Sequence, residues 1–175
     1  PKIALLMCSA IISDTLIFRS PTCTEMDREA GKALAEIAGI NIKEHAHEMF
    51  FAGSNISEKT AKELFTGDFK RFSIGDTTFG IGQVSCMDGE ELDQVKKKVM
   101  TYMKEQYKSL GVNMLYFMLT DIIKPGTELL CVGDGAMELV ERAFGVQGSD
   151  DVVYLPGVVS RKKQVVPEIM MEITQ

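Results

Sequence analysis

The sequence has little positive charge. Its 175 residues carry 19 Lys and Arg against 25 Asp and Glu, which gives a net charge of −6 at pH 7 and a pI of about 5.0. General nucleic-acid binding needs a basic face, because phosphate contacts supply most of the affinity. The charge balance therefore excludes that class, and we expect no nucleic-acid partner.

Long apolar runs are also missing. The most apolar stretch, Ile3–Phe18, is interrupted by Ser9, Ser13, Asp14 and Thr15. A membrane-spanning helix needs about 20 consecutive apolar residues. The sequence therefore predicts no membrane partner.

Cysteine is scarce and scattered. Cys8, Cys23, Cys86 and Cys131 lie far apart and form no pair with metal-ligand spacing. This pattern indicates free, mostly buried thiols rather than a disulfide framework. We therefore expect a protein of the reducing cytoplasm.

Helical patterns fill the first half of the chain. Thr24 and Asp27 have capping-box spacing, and Gly39 is placed to end that helix. A short helix is predicted over Glu44–Phe51, and Ser57 is predicted to cap another. The predicted inward face of the helix after Thr24 consists of Met26, Ala30, Ala33, Leu34 and Ile37.

Strand and helix patterns alternate in the second half. Phe69–Ile74 and Thr77–Cys86 flank a Gly75-Asp76 pair, as in a hairpin. Val112–Leu119 is apolar except for Asn113, which is typical of a central strand buried on both faces. The other predicted elements are a helix from Asp88 to Gly111, strands Leu129–Val132 and Val152–Leu155, and helix Ala136–Phe144. The predicted fold class is α/β, with a mixed sheet flanked by helices.

The first helix, predicted over Ile3–Phe18, is apolar nearly all round and would need cover on every side. Little can cover a helix at the start of the chain, so we expect an N-terminal part of a longer protein to pack on it. Asp14 lies within this helix, with Ala10 and Phe18 four residues away rather than cations. Its carboxylate must be paired elsewhere, protonated or metal-bound, and the pattern leaves these alternatives open.

Ser160-Arg161-Lys162-Lys163-Gln164 places three cations between the apolar segments Val152–Val159 and Val165–Pro167. A basic triplet is commonly a solvated turn. Cations at the edge of a core are costly unless an anion meets them, so this setting favours an anion site. Lys70 alternates with Phe72 and Ile74 on one strand face, where lysines commonly extend to the strand end.

Two segments carry a resemblance to a known family. Residues 11–24, IISDTLIFRSPTCT, with 34–39, LAEIAG, resemble the interdomain region of the manganese-dependent family II inorganic pyrophosphatases of the DHH phosphoesterase superfamily. Residues 158–167, VVSRKKQVVP, resemble their C-terminal signature. The resemblance spans essentially the whole chain, including Thr120-Asp121-Ile122.

The resemblance implies a domain organisation and a set of site residues. Residues 1–19 would be the last helix of an N-terminal DHH domain, 20–24 a linker, and 25–175 a substrate-binding DHHA2 domain. It implies that Asp14 ligates a catalytic metal. The implied pyrophosphate-binding residues are Arg161, Lys162, Lys70, Ser160 and Lys163.

The implied activity is metal-dependent hydrolysis of diphosphate to two phosphates. Mn²⁺, or alternatively Mg²⁺ or Co²⁺, would be ligated mostly by the N-terminal domain, whose His-x-Asp-x-Asp and Asp-His-His motifs this sequence lacks. We therefore expect the chain alone to be inactive. The expected partners are pyrophosphate, the N-terminal DHH domain and a second copy of the chain. The alternatives are an exopolyphosphatase-type domain and a non-catalytic polyanion-binding or interaction module.

Overall fold

The computed structural model describes residues 1–53, 56, 58–87 and 89–174. The chain divides into two compact units, Pro1–Asn55 and Ile56–Gln175. Within the described residues, no helix has the length and apolar character needed to cross a membrane. The first unit contains α1 (Lys2–Asp14), α2 (Glu25–Ala38) and α3 (Ile42–Gly53). The second contains α4 (Ala61–Gly67), β1 (Phe69–Ile74), β2 (Thr77–Cys86), α5 (Gly89–Gln106), a 3₁₀ turn (Tyr107–Leu110), β3 (Met114–Asp121), β4 (Gly126–Val132), α6 (Ala136–Phe144), β5 (Val152–Pro156), a π-helical turn (Arg161–Val165) and α7 (Val166–Ile173).

The second unit is built on a five-stranded mixed sheet with strand order β1-β2-β3-β4-β5. Strands β2 and β3 are parallel, and every other neighbouring pair is antiparallel. The hairpin lies at the predicted bounds, with Gly75 at φ 53 in its turn. The central strand β3 is buried along nearly its whole length, as its apolar run predicts. The α/β fold with a mixed sheet is therefore confirmed.

Helices cover both faces of this sheet. On one face, α4 and α5 pack against Leu115, Phe117 and Leu119 of β3. On the other face, α6, the π-helical turn and α7 pack against the alternate residues, Tyr116 and Met118. Because successive side chains of a strand point to opposite faces, one apolar strand contributes to both clusters.

The helical unit has a smaller interior. Cys8 and Ile12 of α1 pack with Ala35 of α2 and Ala46 of α3. Burial raises the pKa of the Cys8 thiol and keeps it protonated. All four cysteines are free, as predicted. The assignment of residues 1–19 to a different domain from residues 25–175 stays a prediction.

Helix α1 is shorter than predicted. It ends at Asp14, because Leu16, Ile17 and Phe18 adopt left-handed backbone conformations with φ of 48, 56 and 61°. Such conformations are costly for residues other than glycine. Thr15 stabilises the turn: its hydroxyl donates to Ile11 O (2.6 Å) and accepts from the Phe18 N–H (3.1 Å).

The capping box predicted at Thr24 and Asp27 is present, and Gly39 ends α2 with φ 71. The predicted inward face of this helix is wrong, since Met26 and Ile37 are 78% and 62% exposed. The buried residues are Gly31 and Ala35, whose small size allows close packing. Ser57 and Asp88, the predicted helix starts, lie outside the described residues; Thr60 caps α4.

Candidate anion-binding site

The sheet fixes the backbone that leads into the basic segment. The Thr127 hydroxyl donates to Val158 O (2.6 Å), and Gln83 Nε2 donates to Val159 O (3.3 Å). Thr120 and Thr127, both fully buried, join their hydroxyls at 3.0 Å. Buried polar groups with satisfied hydrogen bonds specify one arrangement. Residues 158–159 are thereby held at the end of the sheet.

The basic segment itself forms the π-helical turn that leads into α7. The N–H groups of Gln164 and Val165 donate to Ser160 O at 3.0 and 3.3 Å. The Ser160 hydroxyl accepts from the Lys163 N–H (3.3 Å). Gln164 Oε1 accepts from the Val159 and Ser160 N–H groups, both at 3.0 Å. These five amides are satisfied within the turn and are not free to bind an anion. π-Helical turns are frequent at functional sites.

Arg161 is the one cation of the triplet that is buried, with only 8% of its side chain exposed. Its Nη1 donates to Asp68 O (2.6 Å) and Ile81 O (3.2 Å). Its Nη2 donates to Asp68 Oδ1 (2.7 Å), which completes a salt bridge. The anion that meets this buried cation within the chain is therefore Asp68. Sequence reasoning missed Asp68, because nothing in the local pattern links residues 93 positions apart.

Lys70, Lys162 and Lys163 have exposed side chains. Lys70 lies on β1 directly opposite Ile81 of β2, the residue whose carbonyl accepts from Arg161. Lys162 and Lys163 follow Arg161 in the turn. The structure thus brings Lys70 and the Arg161–Lys163 segment to the same end of the sheet. Their roles in substrate binding stay a prediction, as does that of Ser160.

Asp14 differs from the expectation of a carboxylate inside a buried helix. It is the last residue of α1, and its side chain is exposed. Exposure removes the need for a buried partner. Within the described residues, His, Cys, Asp and Glu side chains form no group of three that could hold a metal ion. Asp14 as a metal ligand stays a prediction.

The chain resembles proteins of known activity. It is 44% identical over 170 residues to a manganese-dependent inorganic pyrophosphatase of Methanocaldococcus jannaschii, covering 97% of this chain and 55% of that protein. It is 46% identical over 169 residues to a cobalt-dependent inorganic pyrophosphatase of Clostridium perfringens, covering 97% of this chain and 31% of that protein.

The chain is also similar to a solved structure. The crystal structure of a Methanococcus jannaschii family II inorganic pyrophosphatase matches with a TM-score of 0.87 and 42% identity, over 100% of this chain and 57% of that one. The chain thus spans about half the length of several curated relatives that it matches. The family model for the DHHA2 domain matches residues 47–171. The chain therefore belongs to the DHHA2 domain family.

Proposed function

We propose that this chain is the pyrophosphate-binding part of a metal-dependent inorganic diphosphatase, which hydrolyses diphosphate to two phosphates. The observation that carries the proposal is the buried guanidinium of Arg161, which contacts Ile81 opposite Lys70 and is followed directly by Lys162. Similarity to inorganic pyrophosphatases over 97% of the chain supports it.

The residues suit the substrate. Pyrophosphate is multiply charged at neutral pH and needs several convergent cations. Arg161 can bind two oxygens with one planar fork, while Lys70 and Lys162 act as point charges. Positioned cations stabilise the charge that develops on phosphoryl oxygens during transfer.

The metal site belongs mostly to another part of the protein. Carboxylate oxygen is a hard ligand that suits Mn²⁺ or Mg²⁺, and Asp14 is exposed and available as one ligand. One carboxylate cannot hold a metal cluster, so an N-terminal DHH domain would supply most ligands for Mn²⁺, Mg²⁺ or Co²⁺. Bound metal ions would lower the pKa of a water for attack on phosphorus.

The first experiment compares the chain alone with the chain preceded by the upstream coding sequence of its own gene. Phosphate release from pyrophosphate is measured with Mn²⁺, Co²⁺ and Mg²⁺. We expect activity only in the longer protein. Metal-dependent phosphate release by the isolated 175-residue chain would contradict the proposal that another domain supplies the metal ligands. Activity of a longer protein whose upstream part lacks an Asp-His-His motif would contradict it as well.

The second experiment tests the site. In the longer protein, Arg161→Ala should lower kcat/KM by at least about 100-fold, because a bidentate charged contact is lost. Arg142→Ala is the matched control, since Arg142 pairs with Glu172 on the surface. An unchanged rate for Arg161→Ala would remove this residue from the site.

The same assay separates the alternatives. Faster turnover of long-chain polyphosphate than of pyrophosphate would favour an exopolyphosphatase. Anion binding without turnover in the longer protein would favour a non-catalytic module. A cytoplasmic location and a homodimer complete the proposal. The four free cysteines support the first, and light scattering on the longer protein tests the second.

A further inference from the structure

The Arg161 guanidinium has five N–H donors in a fixed plane. Three of them are taken by the protein: two from Nη1, to Asp68 O and Ile81 O, and one from Nη2, to the Asp68 carboxylate. The Nε–H and the second Nη2–H remain. No buried side-chain nitrogen or oxygen lacks a partner within the described residues. The Nε–H is therefore accessible, and neither remaining donor is used by another group of the described residues.

We propose that Asp68 is a positioning residue, which holds the Arg161 guanidinium so that these two donors face the bound anion. The proposal rests on the proposed function, because it assumes that Arg161 binds pyrophosphate. Asp68 would not touch the substrate. Its effect would pass through the orientation of Arg161.

The surroundings of Asp68 are suited to this role. It joins the end of α4 to the start of β1, between Phe65 and Phe69, whose rings pack with centroids 4.8 Å apart. Phe65 is fully buried, so the backbone carbonyl of Asp68 is held firmly. Ile81, the third acceptor, is a fully buried residue of β2. The guanidinium is thus fixed from two separate segments, and less conformational entropy is lost when the anion binds.

Asp68 also has a property that distinguishes positioning from simple charge pairing. Its carboxylate is 52% exposed, so water screens its repulsion of a nearby anion. The position needs a hydrogen-bond acceptor at Oδ1 rather than a negative charge. The opposite role is a latch, in which Asp68 competes with the anion for Arg161. Removing a latch would tighten substrate binding, whereas removing a positioning residue would weaken it.

The test uses the longer protein with its N-terminal domain, pyrophosphate and Mn²⁺, and it measures KM and kcat separately. Asp68→Ala should raise KM roughly 10- to 100-fold, the range expected for loss of a hydrogen bond to a charged group. Asp68→Asn, which retains an acceptor, should stay within about threefold of the parent protein. Asp76→Ala is the matched control, because it removes an exposed carboxylate from the β1–β2 turn and changes the net charge by the same amount.

Arg161→Ala and the double variant Asp68→Ala/Arg161→Ala distinguish failure of the positioning role from failure of the proposed function. Combined with Arg161→Ala, the Asp68→Ala change should cost nothing more, because it acts through Arg161. If Arg161→Ala alone leaves kcat/KM unchanged, the proposed function of the site fails. If Arg161→Ala is impaired but Asp68→Ala leaves KM unchanged, the positioning role is overturned. A lower KM for Asp68→Ala overturns it in favour of a latch.

A folding defect is controlled by thermal denaturation of each variant. If Asp68→Ala does not fold, Asp68→Ser replaces it, because the shorter hydroxyl cannot reach Nη2 and should reproduce the rise in KM. An unaltered KM for Asp68→Ser overturns the proposal. Equal loss in Asp68→Asn and Asp68→Ala also overturns it, because the acceptor would then not be the feature that matters.

Discussion

The helical unit and the sheet unit differ in what they bury. The sheet unit has a large aromatic interior that includes Phe65, Phe79, Tyr116 and Phe117. The helical unit, under a third of the chain, nevertheless contributes six of the nine exposed large hydrophobic side chains among the described residues. Those six are Ile3, Leu6, Met7, Met26, Ile37 and Phe51.

This difference shows how each unit buries its apolar side chains. The sheet unit has helices on both faces, so β3 can bury two opposite rows of side chains. In the helical unit, three helices meet through small residues such as Ala35 and Ala46. The outer side of α1 consequently exposes Ile3, Leu6 and Met7. Cover of these residues by an N-terminal domain stays a prediction.

The largest effect should come from the sheet interior. Phe117→Ala should lower the free energy of unfolding by about 3–5 kcal/mol, because it leaves a cavity opposite Phe65. Urea denaturation measures the loss, and hydrogen exchange should place it in residues 58–174. Tyr154→Ala, on the exposed part of β5, is the control and should cost much less. Equal losses for the two variants would contradict the description of a tightly packed sheet core.

The sequence predicted the sheet unit better than the helical unit, for a physical reason. The β1–β2 hairpin and helix α6 lie at their predicted bounds, because alternation, the Gly75-Asp76 turn and Gly145 are local signals. The end of α1 was missed, because Leu16–Phe18 adopt conformations that tertiary contacts must support. Helix α7 was also missed, since the apolar residues after Lys163 gave no clear period.

The candidate site shows the same limit. Two of the predicted cations, Arg161 and Lys70, lie close together in the fold, because Arg161 contacts Ile81, which lies opposite Lys70. The contact of Arg161 with Asp68 was not predictable from the sequence, because it depends on strand register and chain reversal rather than on spacing. Exposure of Asp14 followed from the early end of α1 and could not be predicted for the same reason.

A smaller effect should test the close packing of the helical unit. A Cβ at Gly31 would lie 2.7 Å from Phe18 Cζ, and the Phe18 carbonyl is fixed by Arg28 Nη2 at 2.9 Å. Gly31→Ala should therefore lower the free energy of unfolding by about 1–2 kcal/mol, since overpacking outweighs the gain in helix propensity. Hydrogen exchange should place the loss in residues 1–53. Gly67→Ala in α4 is the control, because a Cβ there meets nothing within 4 Å. Stabilisation by Gly31→Ala would show that the helical unit packs loosely.

The smallest effect concerns the capping boxes at the helix starts, which occur in both units. Thr24 with Asp27 and Thr60 with Glu63 form capping boxes in which each Thr hydroxyl lies 2.7 Å from the carboxylate. Thr24→Ala and Thr60→Ala should each cost about 1 kcal/mol, measured by urea denaturation, with hydrogen exchange placing each loss in its own helix. Ser73→Ala, on an exposed position of β1, is the control.

The boxes also predict a pH dependence. Hydrogen bonds from Thr24 lower the pKa of Asp27 below its ordinary value of 3.8, and those from Thr60 lower the pKa of Glu63 below 4.5. A lowered pKa in the folded state stabilises the protein above the unfolded pKa, and this contribution is lost as the pH falls through the folded pKa. Thr24→Ala and Thr60→Ala should therefore differ from the parent protein fully at pH 7 and progressively less below about pH 4. If the difference from the parent persists unchanged at low pH, the carboxylates do not contribute, and the two units do not share this means of stabilising a helix start.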